Sequence, residues 1–310
     1  MHTRRTFLQT SLAATSALLA DSLGVKNAAG TGTAEAVTYL APGDADFGAA
    51  RALYNGCLET QPKWIARCVS EAGVQQAIRR AIEKAWPVAV KAGGHSFEGL
   101  SLNDDGLVVN VAAMNDLRLD AKSGVLTAGA GCRLADVNRF LMARGRFLPA
   151  GSCETVGLAG LTLGGGYGLF ARKWGLTCDH LRAVRMVAGT GEIHDSRNEP
   201  DLLWACRGGG NGHFGVVTQL SLQTRVVPKV FSSWKYRAFN LNAREATALL
   251  EVWFEATATL PREAFSAWVM NGWQVTILLT TIGAREEKGL SAFRAKLAPV
   301  TDKMSDAGTP

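Results

Sequence analysis

Two glycine-dense segments constrain this chain more than any other feature of its sequence. Residues 91–99, the first glycine segment, read Lys-Ala-Gly-Gly-His-Ser-Phe-Glu-Gly, and residues 151–168 form the second. Each carries one nucleophilic side chain, His95 in the first and Cys153 in the second. Glycine lets a backbone lie directly against a ligand, while His and Cys can bond to it covalently. The pattern predicts a cofactor that is held by main chain and tethered by side chains.

A diphosphate is the ligand that such loops suit. It needs many donors at close range, and backbone N–H groups supply them where no Cβ intervenes. Residues 92–96 follow an expected buried strand, and the Ser96 hydroxyl adds a donor. The segment is neither a Walker loop, since no Gly-Lys-Ser/Thr follows, nor a Rossmann fingerprint, since GxGxxG is missing. The glycine run at 164–168 is weak evidence alone, because such runs also make tight turns.

Length and composition describe a core-forming soluble protein. With 310 residues the chain exceeds the usual size of one domain, so two domains are expected. Apolar residues make up 47% and charged residues 19%, which excludes a disordered chain. The net charge is +6, but no basic run and no interleaving of basic with aromatic residues occurs. A mildly basic surface is therefore favoured over nucleic-acid binding.

The N-terminus resembles a twin-arginine export signal. Residues 4–8 read Arg-Arg-Thr-Phe-Leu, and a mild apolar run covers residues 12–20. That run is shorter than the ~20 residues of a membrane-spanning helix, so no stable membrane anchor is expected. Residues 1–36 are interpreted as this signal and a linker, with an ordinary amphipathic tail as the alternative. The interpretation implies the twin-arginine translocation machinery as a partner and a periplasmic or extracellular location.

The six cysteines show neither a CxxC pair nor a histidine spacing suited to zinc, so no metal site is expected. Export would permit disulfides. Cys57 and Cys68 are the closest pair in sequence. Because Cys68 lies in an apolar run, a buried free thiol is the alternative there.

The chain up to about residue 228 alternates strands, helices and glycine turns, which indicates an α+β fold. Ser70 is expected to cap a helix whose apolar residues keep the helical period. Other expected helices cover residues 47–55 and 133–144, with a short one opening at 199–204. The expected strands are residues 64–69, 87–91, 107–111, 125–128, 181–188 and 216–224.

The character of the sequence changes at residues 226–228, where a domain boundary is predicted. Downstream, residues 243–260 show a long helical pattern, and residues 291–297 begin another helix. Residues 268–282 are expected to form two strands joined at Asn-Gly 271–272.

Four blocks of the sequence stand in an order that resembles one group of flavoproteins. They are the first glycine segment, the stretch from Cys153 to residue 179, Asp-Leu-Leu-Trp-Ala-Cys-Arg-Gly-Gly-Gly at 201–210, and Phe-Gly-Val-Val-Thr at 214–218. The blocks resemble the FAD-linked oxidases of the p-cresol methylhydroxylase/vanillyl-alcohol oxidase type. More narrowly, they are similar to the berberine bridge enzyme-like and oligosaccharide oxidase branch. Four separate blocks over roughly residues 60–225 make chance similarity remote.

The resemblance implies a fold and a cofactor. The fold is α+β, with a two-subdomain FAD-binding domain (PCMH-type) at residues 37–228 and an incomplete substrate domain, an antiparallel sheet with helices, at 229–310. The cofactor is FAD. His95 occupies the position that bonds its 8α-methyl carbon, and Cys153 the position that bonds flavin C6 in doubly linked members, although Cys-Glu stands where relatives often have Cys-Pro. The residues expected to bind the cofactor are Ala92, Gly93, Gly94, His95, Ser96, Cys153, Thr155, Val156, Gly157, Gly160, Gly164, Gly165, Tyr167, Gly168 and Val216.

Several of these side chains have a structural alternative. A lone histidine after a strand is usually structural, and Cys153 competes with the packing of a small buried residue. Tyr167 is expected either to contact the flavin or to pack. The remaining candidates are expected to be surface, structural or capping residues: His180, His194, His213 and Asp179.

The function implied by the resemblance is oxidation of a hydroxyl-bearing small molecule such as a sugar or an alcohol. A base would take the hydroxyl proton while hydride passes to flavin N5, and oxygen would reoxidise the flavin to give hydrogen peroxide. Nothing after Pro228 resembles the segment in which relatives carry their catalytic base, so no catalytic residue is assigned. The alternatives are a dehydrogenase that uses another acceptor and a truncated, non-catalytic flavin-binding remnant.

Overall fold

The structure, a computed structural model, describes residues 36–282 and 288–297 and a short strand at 305–306. The predicted export signal lies outside these residues apart from its last position. Within the described residues, no helix is both long and apolar enough to cross a membrane. Parallel and antiparallel sheets combine with helices, which confirms the α+β prediction.

The first layer is a four-stranded sheet with the order β1-β2-β4-β3, in which β2, β4 and β3 are parallel and β1 is antiparallel to β2. Side chains alternate between its faces. Ala66 and Val109 enter the main hydrophobic core, whereas Ile65 and Val108 pack in a smaller cluster with Phe47. The elements of this layer are β1 (Val37–Leu40), α1 (Phe47–Arg51), β2 (Trp64–Cys68), α2 (Glu71–Glu83), β3 (Val88–Lys91) and β4 (Leu107–Asn110).

The parallel strands set the position of the glycine segments. In a parallel sheet, ligands bind beyond the carboxyl ends of the strands. Strand β3 ends at Lys91, so the first glycine segment leaves the sheet at that edge. Helix α2 covers the inner face of the sheet through Val74, Ala77 and Ile78, and Ser70 caps it as predicted by accepting the Gly73 N–H at 3.2 Å.

The second layer is a five-stranded antiparallel sheet with the order β5-β6-β10-β8-β9. Its inner side chains, with those of α2 and α3, complete the main core. Strands β7 and β11 form a separate antiparallel pair. The elements are β5 (Leu117–Leu119), β6 (Val125–Gly129), α3 (Leu134–Met142), β7 (Arg146–Phe147), α4 (Leu158–Leu163), α5 (Ala171–Trp174), β8 (Leu181–Val187), β9 (Ile193–Asp195), α6 (Pro200–Ala205), β10 (Val216–Gln223) and β11 (Arg225–Val226).

A polar cluster joins the two layers at the start of α2. The Arg185 guanidinium donates to both carboxylate oxygens of Glu71, at 2.7 and 3.3 Å, and the buried Thr218 hydroxyl donates to the same carboxylate at 3.0 Å. Asp195 accepts a further, longer bond from Arg185 at 3.4 Å. These bonds raise the pKa of Arg185, first through the hydrogen bond to Glu71. The cluster fixes the first sheet against the second, and therefore one glycine segment against the other.

The third part is an antiparallel sheet of order β13-β14-β12-β15 with two helices and a hydrophobic core of its own. Val275, Ile277 and Leu279 are buried on one face of β14, and Phe293 on α8 is fully buried among the same cluster. A tight turn with Gly272 at φ +59° joins β13 to β14 at the predicted Asn-Gly position. The elements are β12 (Phe231–Ala238), α7 (Ala243–Thr257), β13 (Ala264–Asn271), β14 (Gln274–Ile282), α8 (Lys288–Leu297) and β15 (Ser305–Asp306).

The described residues from Ala36 onward form one compact unit, and the domain boundary near residue 228 stays a prediction. The long helix is confirmed, ending at Thr257. The first strand of the hairpin begins at Ala264, four residues before the predicted start. Strand β12 was not predicted, and neither was α4, which lies within the second glycine segment.

Candidate cofactor site

The two glycine segments lie directly against each other. A Cβ added to Gly93 would stand 2.8 Å from the Gly157 Cα and closer still to the Gly157 backbone nitrogen. The reverse holds as well, since a Cβ on Gly157 would stand 2.7 Å from the Gly93 nitrogen. Real Cβ atoms do not approach backbone this closely, so both positions require glycine. The structure therefore brings together the segments that sequence reasoning paired.

His95 lies at this junction and contacts the second segment. Its Nε2 atom is 2.9 Å from the Thr155 hydroxyl oxygen. The Tyr54 ring stacks on the imidazole with a centroid distance of 4.4 Å and an interplanar angle of 20°. The Tyr54 backbone N–H also donates to the Gly94 carbonyl at 3.0 Å, so ring and loop are joined. Burial, and next the charge of Arg133, lower the pKa of His95, which favours the neutral imidazole.

Cys153 begins a turn that the main chain fixes on the N-terminus of α3. The Val156 N–H donates to the Cys153 carbonyl at 3.3 Å, and the carbonyls of Glu154 and Val156 accept from Ala135 and Leu134 at 2.9 and 3.0 Å. The Cys153 side chain is exposed and its thiol is free. It is therefore accessible, and the burial that the packing alternative requires is not present.

The second glycine segment contains glycines that packing explains and others that it does not. Gly165 and Gly166 have φ values of +107° and +81°, and a Cβ on Gly168 would strike the Ala150 carbonyl. By contrast, a Cβ on Gly160 would meet no atom within 4 Å. A helical glycine costs about 1 kcal/mol relative to alanine, and Gly160 lies inside α4. The open space beside Gly160 suits a ligand that lies against the backbone. The residues of the second glycine segment therefore fit a bound FAD.

Two positively charged side chains, Lys91 and Arg133, lie beside the first glycine segment. Lys91 is only 7% exposed at the end of β3, and no carboxylate pairs with its ammonium group among the described residues. Burial, and then the nearby Arg133, lower its pKa. Arg133 itself is exposed and bridges to Gly157 through its backbone. Two cations that form no ion pair among the described residues favour a negatively charged ligand such as a diphosphate.

A third glycine-rich stretch, residues 207–215, reaches the second segment. The Gly210 N–H donates to the Leu163 carbonyl at 3.2 Å, and the Asn211 amide lies beside Gly164. Val216 follows as a buried residue of β10.

In the first glycine segment, the Ser96 hydroxyl accepts the Leu100 N–H at 3.2 Å, which stabilises the turn at residues 96–100. Cofactor contacts at Ser96 and Val216 stay predictions.

The segment after the glycine run contacts the third part of the fold. The Arg172 guanidinium donates to the carbonyls of Ala264 and Leu260 at 2.8 and 3.0 Å, and Lys173 pairs with Glu263 at 3.3 Å. Tyr167 is 62% exposed, with its ring 5.8 Å from that of Phe265. The packing contact is therefore observed, and a contact of Tyr167 with the flavin stays a prediction.

The remaining candidates occupy structural positions. Asp179 accepts the Leu176 N–H at 2.7 Å and caps its turn, as predicted. His180 is buried, His194 pairs with Glu199 at 3.0 Å, and His213 is exposed. All six cysteines are free, so Cys57 and Cys68 form no disulfide, and burial raises the pKa of the Cys68 thiol to about 12.

Sequence reasoning missed three residues of this site: Tyr54, Arg133 and Asn211. Tyr54 lies in an irregular loop, where an aromatic residue is not unusual and no periodicity marks it. Arg133 precedes a helix and looked like an ordinary start of that helix. Asn211 lies between two recognised blocks, residues 201–210 and 214–218, and the glycines on either side of it were a usable signal.

Comparisons with known proteins agree with this geometry. Residues 62–197 match the FAD binding domain family. An uncharacterized FAD-linked oxidoreductase, YgaK of Bacillus subtilis, is 38% identical over 193 residues, covering 60% of this chain and 43% of that protein. The (R)-6-hydroxynicotine oxidase of Paenarthrobacter nicotinovorans is 33% identical over 190 residues, covering 61% of this chain and 41% of that protein. The chain thus spans about two fifths of the length of these curated relatives.

Solved structures share the fold over most of the chain. Physcomitrella patens BBE-like 1 matches with a TM-score of 0.80 and 28% identity, over 88% of this chain and 60% of that one. A chitooligosaccharide oxidase matches with a TM-score of 0.76 and 29% identity, over 88% and 58%. Glucooligosaccharide oxidase from Acremonium strictum, described with a 6-S-cysteinyl, 8α-N1-histidyl FAD, has a TM-score of 0.78 over 88% and 58%; at 23% identity it shows the fold alone.

Fold and sequence together define the class. Residues 62–197 match the FAD binding domain, and the fold is that of the PCMH-type FAD oxidases of the vanillyl-alcohol oxidase superfamily. The proteins that this chain is similar to include berberine bridge enzyme-like proteins and a chitooligosaccharide oxidase.

Proposed function

We propose that this chain binds FAD covalently and serves in the oxidation of a hydroxyl-bearing small molecule, such as a sugar or an alcohol. One observation carries the proposal: the two glycine segments meet at Gly93 and Gly157, with His95 at their junction. The name of the chitooligosaccharide oxidase among the structural relatives supports a carbohydrate substrate.

Each part of the site has a task in this proposal. Backbone N–H groups of the first segment hold the diphosphate, and Lys91 and Arg133 neutralise its charge. His95 and Cys153 tether the ring; the linkages named for glucooligosaccharide oxidase, one cysteinyl and one histidyl, use the same two residue types. When bound, the flavin supplies the hydride acceptor. We assign no proton-abstracting residue.

Removal of both tethers tests the covalent part of the proposal. Purified protein should be yellow and keep its flavin through acid precipitation. His95→Ala and Cys153→Ala should each retain flavin through the other residue, whereas the double variant should release it. Cys57→Ala, at another exposed free thiol, is the matched control and should change nothing. Soluble but colourless protein would refute FAD binding, and a double variant that still holds flavin covalently would refute the assignment of the tethers.

Turnover is tested separately from binding. We expect flavin reduction when the yellow protein is mixed anaerobically with oligosaccharides or alcohols, and hydrogen peroxide when air is admitted. If the reduced flavin is reoxidised by an artificial electron-accepting dye but not by oxygen, the protein is a dehydrogenase that uses another acceptor. Firmly bound flavin that no substrate reduces would support the alternative of a non-catalytic flavin-binding protein.

Export is part of the proposal and rests on the twin arginine at residues 4–5. Replacement of both arginines by lysine keeps the charge but removes the pattern that the translocation machinery reads. We expect the variant to stay inside the cell. Cell fractionation followed by immunoblotting measures the result, and equal export of both forms would contradict the proposal.

A further inference from the structure

We infer that Thr155 and Tyr54 are positioning residues that hold the His95 imidazole with its Nδ1 atom free to form the bond to the flavin. The inference rests on the proposed covalent binding of FAD and extends it to two residues, Thr155 and Tyr54, to which the family resemblance gives no positioning role.

The His95 ring is held from two directions. The Thr155 hydroxyl oxygen lies 2.9 Å from Nε2, at the edge of the ring. Tyr54 lies against its face, 4.4 Å between centroids and nearly parallel. Nδ1 has no hydrogen-bond partner among the described residues. Edge and face contacts together restrict rotation of the ring, so Nδ1 is the nitrogen left for a ligand.

The contact with Thr155 also bears on the position of the proton. A neutral imidazole has one N–H and one lone pair, and the partner of one nitrogen determines which form is present. If Nε2–H donates to the Thr155 oxygen, the lone pair is on Nδ1. The lowered pKa of His95 is consistent with a neutral ring that has a lone pair to share. The hydroxyl then keeps the imidazole in the form that can make a bond from Nδ1.

The bond-forming step balances with dioxygen as the oxidant. A bond forms between Nδ1 and the flavin methyl carbon, and a C–H bond of that methyl group breaks. The ring proton on Nε2, held towards the exposed Thr155 hydroxyl, passes to solvent water. The two electrons and two hydrogens are taken by dioxygen, which becomes hydrogen peroxide.

Tyr54 is placed for orientation rather than for core packing. Its side chain is 63% exposed, so burial does not hold it there. Its backbone N–H to the Gly94 carbonyl ties it to the residue before His95. Its ring also meets the edge of Phe97 at 6.0 Å, which limits its own movement. The aromatic face therefore follows the histidine loop and keeps the imidazole in one orientation.

The test uses a Cys153→Ala background, in which His95 is the single tether. Apoprotein from a riboflavin-auxotrophic host is mixed with FAD, and acid-stable flavin is measured over time. Thr155→Val should slow incorporation by about tenfold or more, since misplacement of a reacting group has effects of that size. Thr155→Ser and Tyr54→Phe should incorporate flavin at about the parent rate, whereas Tyr54→Leu should be slow like Thr155→Val. Thr190→Val and Trp273→Leu, at exposed positions outside the site, are the matched controls.

Three readouts separate positioning from a merely structural role. The reversible affinity for FAD, measured before bond formation by fluorescence quenching, should stay within about threefold of the parent, because positioning acts on the bond-forming step rather than on binding. Nitrogen-15 NMR of the labelled apoprotein should show that the dominant tautomer of His95 carries its proton on Nε2. In Thr155→Val this tautomer should no longer dominate. NMR of the isolated histidyl flavin peptide should locate the bond at Nδ1.

The outcomes are distinct. A bond at Nε2, or normal incorporation in both Thr155→Val and Tyr54→Leu, overturns the inference and leaves covalent FAD binding intact. Flavin that binds to the parent only reversibly overturns the inference and the covalent part of the proposed function together. Folded apoprotein with no affinity for FAD overturns the proposed function as a whole.

Discussion

Replacement of Gly93 by alanine should abolish FAD binding and lower the free energy of unfolding by about 3 kcal/mol, the upper part of the range for overpacking. The added Cβ would stand 2.8 Å from the Gly157 Cα and also near the Thr155 carbonyl. Both neighbours are backbone atoms, which cannot rotate away as a side chain can. The two glycine segments must therefore separate, and the diphosphate loses donors that act only at close range.

Gly48→Ala is the matched control for this prediction. Gly48 lies in helix α1, and a Cβ there would meet no atom within 4 Å. We expect stability to be unchanged or raised by up to about 1 kcal/mol, since alanine is the better helix former. Urea denaturation measures stability, and quenching of FAD fluorescence measures binding. A Gly93→Ala protein that binds FAD with unchanged affinity would show that contact between the segments is not required.

Much of this site could be predicted because its requirements are local. A backbone that approaches another backbone or a ligand needs glycine, and glycine is visible in a sequence without knowledge of the fold. Gly93 and Gly157 are 64 positions apart, yet both stood out before their contact was known. The identity of the cofactor, in contrast, depended on resemblance, because a glycine loop alone indicates an anion rather than a particular nucleotide.

The unpredicted parts are those that depend on distant partners. Tyr54 acts by lying on His95, and nothing near Tyr54 in the sequence indicates a histidine 41 positions later. Arg133 influences His95 and Lys91 only because α3 starts beside the first segment. Strand β12 is a different case. Its buried residues Trp234, Tyr236 and Ala238 alternate with exposed ones, so the period of two that indicates a strand is present in the sequence itself.

Hydrogen bonds from Arg172 join the segment after the glycine run to the third part of the fold, and in the proposal they orient that part towards the flavin. Arg172 lies four residues after Gly168 and bonds to carbonyls at the end of the α7 region and at the start of β13. A substrate-binding region that is fixed to the flavin loop by charge-assisted bonds is held in one orientation to the cofactor. In the proposal the position of the third part would bear on turnover, whereas the residues proposed to bind the flavin lie in the first two layers.

Phe293→Ala should destabilise the third part selectively. Phe293 is fully buried on α8, in a cluster that shares no residue with the main core around the glycine segments. Removal of a buried phenylalanine side chain costs about 3–5 kcal/mol through lost burial and the cavity left behind. Because the main core keeps all of its contacts, we expect FAD binding and covalent incorporation to persist.

Hydrogen exchange followed by mass spectrometry locates the effect of Phe293→Ala. Amides of β12, β13 and β14 should exchange faster, while those of β2, β4 and β10 should keep their protection. Phe254→Ala, on the exposed face of α7 at 60% exposure, is the matched control and should change exchange little. Faster exchange throughout residues 36–282 would show that the two cores unfold as one cooperative unit. In that case the third part would be required for the stability of the flavin site.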